Sequence, residues 1–245
     1  MLECMTSSLL ESLTQHKLCL SQNPNGTDKE FPKMYISRIY DPIIASLQNV
    51  EFNFVEIGVR TGASVHLWSE YFKQMRFIGI DNEVDVVWQN SDWLEGKNIQ
   101  YMKADAYRNE TLALLPPTLD VLIDDGPHSI SSQIWVATNY TPRLAPGGII
   151  FIEDIQGGLA YCDRIIRKIP RGFQGCSRIL DLRKVSGEGD SLVVMIHNCV
   201  GECKLKLDFP NQFELLPTIS RSLYLQQIFY IFSRLRHKVV RIFRR

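Results

Sequence analysis

Leu122-Ile123-Asp124-Asp125-Gly126-Pro127-His128 and Phe151-Ile152-Glu153-Asp154 are two apolar runs of strand type that end abruptly in carboxylates. A short strand–helix unit separates them. In an open α/β sheet the carboxyl ends of neighbouring parallel strands face one crevice, where ligands bind. Three or four acids and a histidine are therefore expected to meet in one place. Clustered carboxylates repel one another unless a cation or a proton intervenes, so the pattern points to a hard divalent metal site.

Working outward from these runs, the sequence alternates regularly. Residues 52–57 read as a strand, 63–72 as an amphipathic helix opened by Thr61-Gly62, and 76–80 as a second strand ending at Asp81. A third strand, 99–103, ends at Asp105, a fourth covers 119–123, a helix covers 129–144 and a fifth strand covers 148–152. Strands alternating with helices at this spacing predict βαβ units and a parallel sheet covered on both faces. Residues 158–169 read as a helix, and 177–185 and 191–198 as two strands. The link Ser186-Gly187-Glu188-Gly189-Asp190 is too short for a parallel return, which needs a crossover of a dozen or more residues, so it requires an antiparallel hairpin. The expectation is an α/β fold: a doubly wound, mostly parallel, seven-stranded Rossmann-like sheet ending in an antiparallel hairpin, with helical extensions at both ends. That order resembles a class I methyltransferase sheet more than a nicotinamide-binding one.

The chain has 245 residues, enough for one sizeable α/β domain with extensions. The division expected is a helical N-terminal lid segment over 1–50, a cofactor-binding domain over 51–200 and a basic amphipathic extension over 201–245. Its 27 basic and 27 acidic groups balance, but residues 215–245 hold seven Lys or Arg and no acid. The body is therefore mildly acidic and the tail basic. The first twenty residues contain Glu3 and Glu11 and do not read as a signal peptide, and no segment is apolar enough to span a bilayer. Six cysteines without a Cys-x-x-Cys pair read as reduced thiols in a cytoplasmic protein, and Cys199 with Cys203 alone makes a poor zinc site.

Glu56-Ile57-Gly58-Val59-Arg60-Thr61-Gly62-Ala63-Ser64 follows the first strand directly. Glycines at 58 and 62 let the backbone turn tightly and approach a ligand. This is not the Gly-x-Gly-x-x-Gly that seats a pyrophosphate. Asp81, at the next strand tip, is placed for both ribose hydroxyls, and Asp105 for an adenine amino group. Together these resemble the S-adenosylmethionine pocket of class I methyltransferases. That resemblance implies cofactor contacts from Glu56, Gly58, Gly62, Ser64, Asp81 and Asp105. The competing reading is capping and turn residues in another Rossmann-like protein.

Asp124-Asp125-Gly126-Pro127-His128, with Pro146-Gly147-Gly148 and Glu153-Asp154, is similar to metal-dependent sugar O-methyltransferases of macrolide biosynthesis (mycinamicin-type) and to the cephalosporin-hydroxylase-like family. Gly26-Thr27-Asp28-Lys29 with Tyr35 and Tyr40 resembles the segment that precedes the sheet in those proteins. The match covers roughly residues 25–155. It implies Mg²⁺ held by Asp125, Glu153 and Asp154, with His128 as general base. The usual motif has Ser where Pro127 stands, which leaves both functional side chains in place. A divalent cation stabilises the alkoxide developing on a sugar hydroxyl, and a histidine near its ordinary pKa of about 6.5 accepts the proton.

Competing readings exist for each residue taken singly. Glu153 and Asp154 would also complement the N-terminus of a following helix, Asp124 would orient the loop, and a histidine at a helix start is commonly structural. The function expected is Mg²⁺-assisted O-methylation of a sugar or glycosylated small molecule. The alternatives are methylation of a catechol-like diol and a non-catalytic, membrane-associated cofactor-binding protein. The 27–40 stretch is expected to close over the cofactor, with Lys29 and Tyr35 reaching substrate or cofactor, or Lys29 pairing with a carboxylate of the body. Apolar residues at helical spacing over 219–243, interleaved with arginines, fit a helix lying on a membrane, on the body or on a second subunit. That helix offers no stacking platform for nucleic acid.

Overall fold

A computed structural model describes residues 8–83 and 91–200. The helical reading of 219–243 lies outside them. Seven strands form one sheet: β1 (Phe52–Ile57), β2 (Met75–Asp81), β3 (Ile99–Lys103), β4 (Leu119–Asp124), β5 (Leu144–Ile152), β6 (Ser177–Asp181) and β7 (Leu192–His197), in the order β3-β2-β1-β4-β5-β7-β6. The first five run parallel, and β7 is antiparallel to both β5 and β6. The order reverses beside β1, which opens a crevice at the carboxyl ends of β1 and β4.

The strands form where apolar runs can be buried on two faces. Val121, Leu122 and Ile123 of β4, and Ile149 to Ile152 of β5, have no exposed surface. Side chains alternate along each strand, so each run feeds two cores. Phe52, Phe54, Val121, Ile123, Ile149 and Phe151 face one side, and Val55, Ile57, Leu122, Ile150 and Ile152 the other.

Helices cover both faces. On the second lie α5 (Ile130–Asn139), whose N-cap Ser129 accepts from the amide of Ser132, and α6 (Leu159–Ile166), which buries Leu159, Cys162, Ile165 and Ile166 at helical spacing. On the first lie α3 (Ala63–Tyr71), with buried Trp68, and the N-terminal segment. That segment contains α1 (Leu9–Gln15), opened by a capping box between Ser8 and Glu11, then a π-type turn over Ile36–Tyr40 and the short α2 (Asp41–Ile44). The remaining helices, α4 (Asn109–Leu114), α7 (Arg171–Gln174) and α8 (Arg183–Ser186), are short connections.

Three expectations are corrected. The helix expected to reach residue 144 stops at Asn139, because Pro142 cannot donate to a continuing helix; Thr141–Arg143 makes a tight turn and β5 begins at Leu144. The strand expected over 177–185 ends at Asp181, whose carboxylate takes Arg183 Nε and Nη2 and starts α8. Cys176 and Cys199, read as reduced thiols, form a disulfide. They flank paired strands β6 and β7, which brings their Cα atoms to 6.3 Å. Cys19 and Cys162 are free and buried. Among the described residues no helix is long and apolar enough to cross a membrane.

Candidate active site

The loops after β1 to β4 enclose a cavity of about 1060 Å³. Gly58, Ser64, Asp81 and Asp105 line it, together with Asn25 to Asp28 from the N-terminal segment. Gly58 has φ +85°, and a Cβ there would stand 2.0 Å from the carbonyl oxygen of Asp125, so only glycine lets the β1 and β4 tips approach this closely. Gly62, also at positive φ, caps α3. Asp81 accepts from the amides of Arg60 (2.9 Å) and Glu83 (3.0 Å), which fix its carboxylate at the rim. Asp105 accepts from the Tyr107 amide and from Arg108 Nε, both at 2.9 Å. Glu56, expected as a cofactor contact, is fully buried instead. Its Oε2 accepts from Ser64 Oγ and Trp68 Nε1, each at 3.0 Å, and Lys29 Nζ lies 3.5 Å from Oε1.

Beyond the tips of β4 and β5, Asp125, His128 and Asp154 offer ligand atoms that all lie within 4.8 Å of one another. His128 Nε2 is 3.7 Å from Asp125 Oδ1 and 3.9 Å from Asp154 Oδ2. His128 (φ 52°) and Asp154 (φ 54°) both have left-handed backbone, as does Arg60 (φ 40°), which also lines the cavity. Such conformations cost about 1–3 kcal/mol for a residue with a Cβ and persist only where the surroundings impose them. Here they turn two polar side chains toward a third.

Glu153, expected as a third ligand, is not among the converging atoms. Its Oε2 accepts from Lys29 Nζ at 2.7 Å and its Oε1 from the Tyr40 hydroxyl. Lys29 Nζ also donates to Asp125 Oδ2 at 2.7 Å. Asp154 Oδ1 accepts from the Tyr35 hydroxyl (2.6 Å), with Lys33 Nζ at 3.1 Å, and Lys33 donates in turn to Asp190 Oδ1 (2.6 Å). Asp124 is a neighbour outside the cluster and takes the Tyr107 hydroxyl at 2.7 Å.

Electrostatics follow from burial. Desolvation raises the Glu153 carboxyl well above the ordinary range, with Asp125 and Asp154 adding to the rise and Lys29 opposing it. Asp154 is raised by burial and by Asp125, against Tyr35 and Lys33. Burial lifts Asp124 to about 6. Burial alone would lower the Lys29 ammonium, but Asp125, Glu153 and Glu56 outweigh it and hold the group charged. Tyr35 and Tyr40, raised by burial and by the adjacent acids, stay protonated donors. A divalent ion beside Asp154 would offset the repulsion from Asp125 that adds to the rise of its carboxyl. Asp125 Oδ1 and Asp154 Oδ2 accept no hydrogen bond from the described residues and are hard oxygen donors, so the residues present fit Mg²⁺.

Sequence reasoning missed Lys33 and Asp190, because nothing local links a residue of the N-terminal segment to a hairpin loop far along the chain. Another histidine, His66, does not line the cavity and stacks on Trp93 with ring centroids 4.4 Å apart.

Residues 55–155 match a family model described as a methyltransferase domain. Over 141 residues the chain is 27% identical to the 8-demethyl-8-alpha-L-rhamnosyl tetracenomycin-C 2'-O-methyltransferase of Streptomyces olivaceus, a match covering 54% of this chain and 36% of that protein. Among solved structures, MycE methyltransferase of the mycinamycin biosynthetic pathway, in complex with Mg, SAH and mycinamycin VI, superposes with a TM-score of 0.56 at 18% identity, covering 86% of this chain and 58% of that one. The Methanococcus jannaschii fibrillarin pre-rRNA processing protein superposes with a TM-score of 0.52 at 15% identity, over 74% and 77% of the two chains. The chain thus spans about a third of the curated relative and under two thirds of MycE. Sheet order, the glycine turn after β1 and the family match agree: residues 55–155 are similar to a methyltransferase domain, set in a seven-stranded sheet of the class I methyltransferase type.

Proposed function

We propose that the chain transfers a methyl group from S-adenosylmethionine to a hydroxyl of a sugar or glycosylated small molecule, with Mg²⁺ assistance. The observation that carries this reading is the convergence of Asp125, His128 and Asp154 at the lip of the cavity that the methyltransferase turn encloses. The relatives support the substrate class by name: one is a rhamnosyl 2'-O-methyltransferase, and the other was crystallised with Mg, SAH and a mycinamycin.

A sugar hydroxyl is a poor nucleophile at neutral pH because its proton is held far too tightly. Bound Mg²⁺ supplies the positive charge that stabilises the developing alkoxide. Asp125 and Asp154 would hold the ion through the oxygens that accept no hydrogen bond from the described residues, and His128 Nε2 would receive the hydroxyl proton. The left-handed backbone at His128 aims the ring between the two carboxylates. Gly58, Ser64, Asp81 and Asp105 bind and orient the cofactor, and the activated methyl leaves positioning as the main remaining task. Tyr35 and Lys33 hold Asp154 in place while the N-terminal segment walls the cavity from water.

Calorimetric titration with S-adenosylmethionine, with and without Mg²⁺, tests the cofactor pair. Methyl transfer to a rhamnosylated polyketide tests the acceptor class. Unchanged turnover in both Asp125→Ala and His128→Ala would remove the mechanism.

A further inference from the structure

Strand parity divides the acids of the site into two groups. Glu56 continues the face of Phe52 and Phe54 on β1, Asp125 that of Val121 and Ile123, and Glu153 that of Ile149 and Phe151. The backbone pairing runs on past the strand ends, with Asp125 N donating to Ile57 O (2.9 Å) and Glu153 N to Asp124 O (3.0 Å). Three carboxylates from three adjacent strand tips therefore point to the face that the N-terminal segment covers. Lys29, itself 1% exposed, places its ammonium among them, at 2.7 Å from Asp125, 2.7 Å from Glu153 and 3.5 Å from Glu56.

We propose that Lys29 is a resident cation of the metal centre: it, not the divalent ion, holds Glu153, and it shares the Asp125 carboxylate with the metal bound through Asp125 and Asp154. The inference rests on the metal reading above. Each acid then has an assigned partner. Both oxygens of Glu153 are occupied, by Lys29 and Tyr40, whereas Asp125 and Asp154 each keep one oxygen toward His128. With Asp154 and its partner Lys33 counted, four carboxylates against two ammonium groups leave a formal excess of two negative charges, which one divalent ion neutralises. Lys29 is thus a positioning residue. It keeps the ion on the His128 side of Asp125 and prevents Glu153 from drawing it toward the sheet.

The test is Mn²⁺ binding to the metal-stripped full chain, read by the paramagnetic resonance signal of free Mn²⁺. Lys29→Met with Glu153→Gln removes both members of the pair at constant net charge, and such replacement of a buried pair is commonly tolerated. The double variant is expected to bind Mn²⁺ within about fivefold of wild type, because no ligand is lost. Lys29→Met alone is expected to bind about tenfold tighter, since a nearby positive charge is gone and Glu153 is released. A larger loss in the double variant, or weaker or unchanged binding by Lys29→Met, overturns the proposal. If wild type takes up no Mn²⁺, the metal reading fails, and metal-free thermal unfolding decides what Lys29 does. Adding Glu153→Gln must then restore stability lost in Lys29→Met, and failure to restore it overturns the pairing. Should Lys29→Met not fold alone, the double variant decides on its Mn²⁺ affinity.

Discussion

His128 and Asp154 carry their functional atoms on left-handed backbone, and the removal of either side chain tests chemistry and conformation together. His128→Ala is expected to lower kcat by about 10²-fold or more, the usual loss for a general base, while cofactor affinity by calorimetry stays within a few fold. Asp124 offers a pH test. Burial lifts its folded value to about 6, so the stability it contributes below its unfolded value near 3.9 is lost as pH rises through about 6. Asp124→Asn does not titrate and keeps an acceptor for Tyr107. Its advantage over wild type in metal-free thermal unfolding is therefore expected to grow between pH 4 and 7, toward about 2–3 kcal/mol. The acids at both strand tips were legible in the sequence, but their pairing was not. Glu153 and Asp154 are adjacent, and a linear reading treats them as one cluster. The pleat sends Glu153 toward Lys29, and the positive φ at Asp154 turns that residue toward His128.

Gly58 is where two elements touch most closely, with the β1 turn against the carbonyl of Asp125 after β4. Gly58→Ala is expected to lose at least about 2 kcal/mol in chemical denaturation and to abolish measurable cofactor binding, because neither φ nor space admits a Cβ. The parallel strands were readable because continuous apolar runs between turn residues have few other solutions in an α/β chain. Residues 182–185 were misread as strand for the same reason, since Leu182 and Val185 prolong the apolar pattern. There the Asp181–Arg183 ion pair turns the chain before the pattern ends.

Across the whole molecule, the expected separation of a lid over 1–50 from a body meets a shared core. Leu9, Leu13, Ile36, Ile39 and Ile44 pack in the same buried cluster as Phe54, Val121 and Phe151. A chain lacking residues 2–47 would expose that sheet face, at about 1.5–3 kcal/mol for each large side chain stripped from it. It is expected to show no cooperative unfolding transition by circular dichroism, whereas a hinged lid would leave the sheet's transition intact. This dependence was hidden because contacts between residues 100 or more apart leave no local periodicity. Only Lys29 and the tyrosines around it signalled that the segment reaches the reaction end.

The last antiparallel strand has a consequence for how such a fold diversifies. Because β7 runs against β5, the turn that feeds it lies beside the reaction end, where Asp190 grips Lys33 and through it Asp154. Insertions and exchanges in that turn can reshape the entrance for incoming molecules while every hydrogen-bonded rung of the sheet stays untouched.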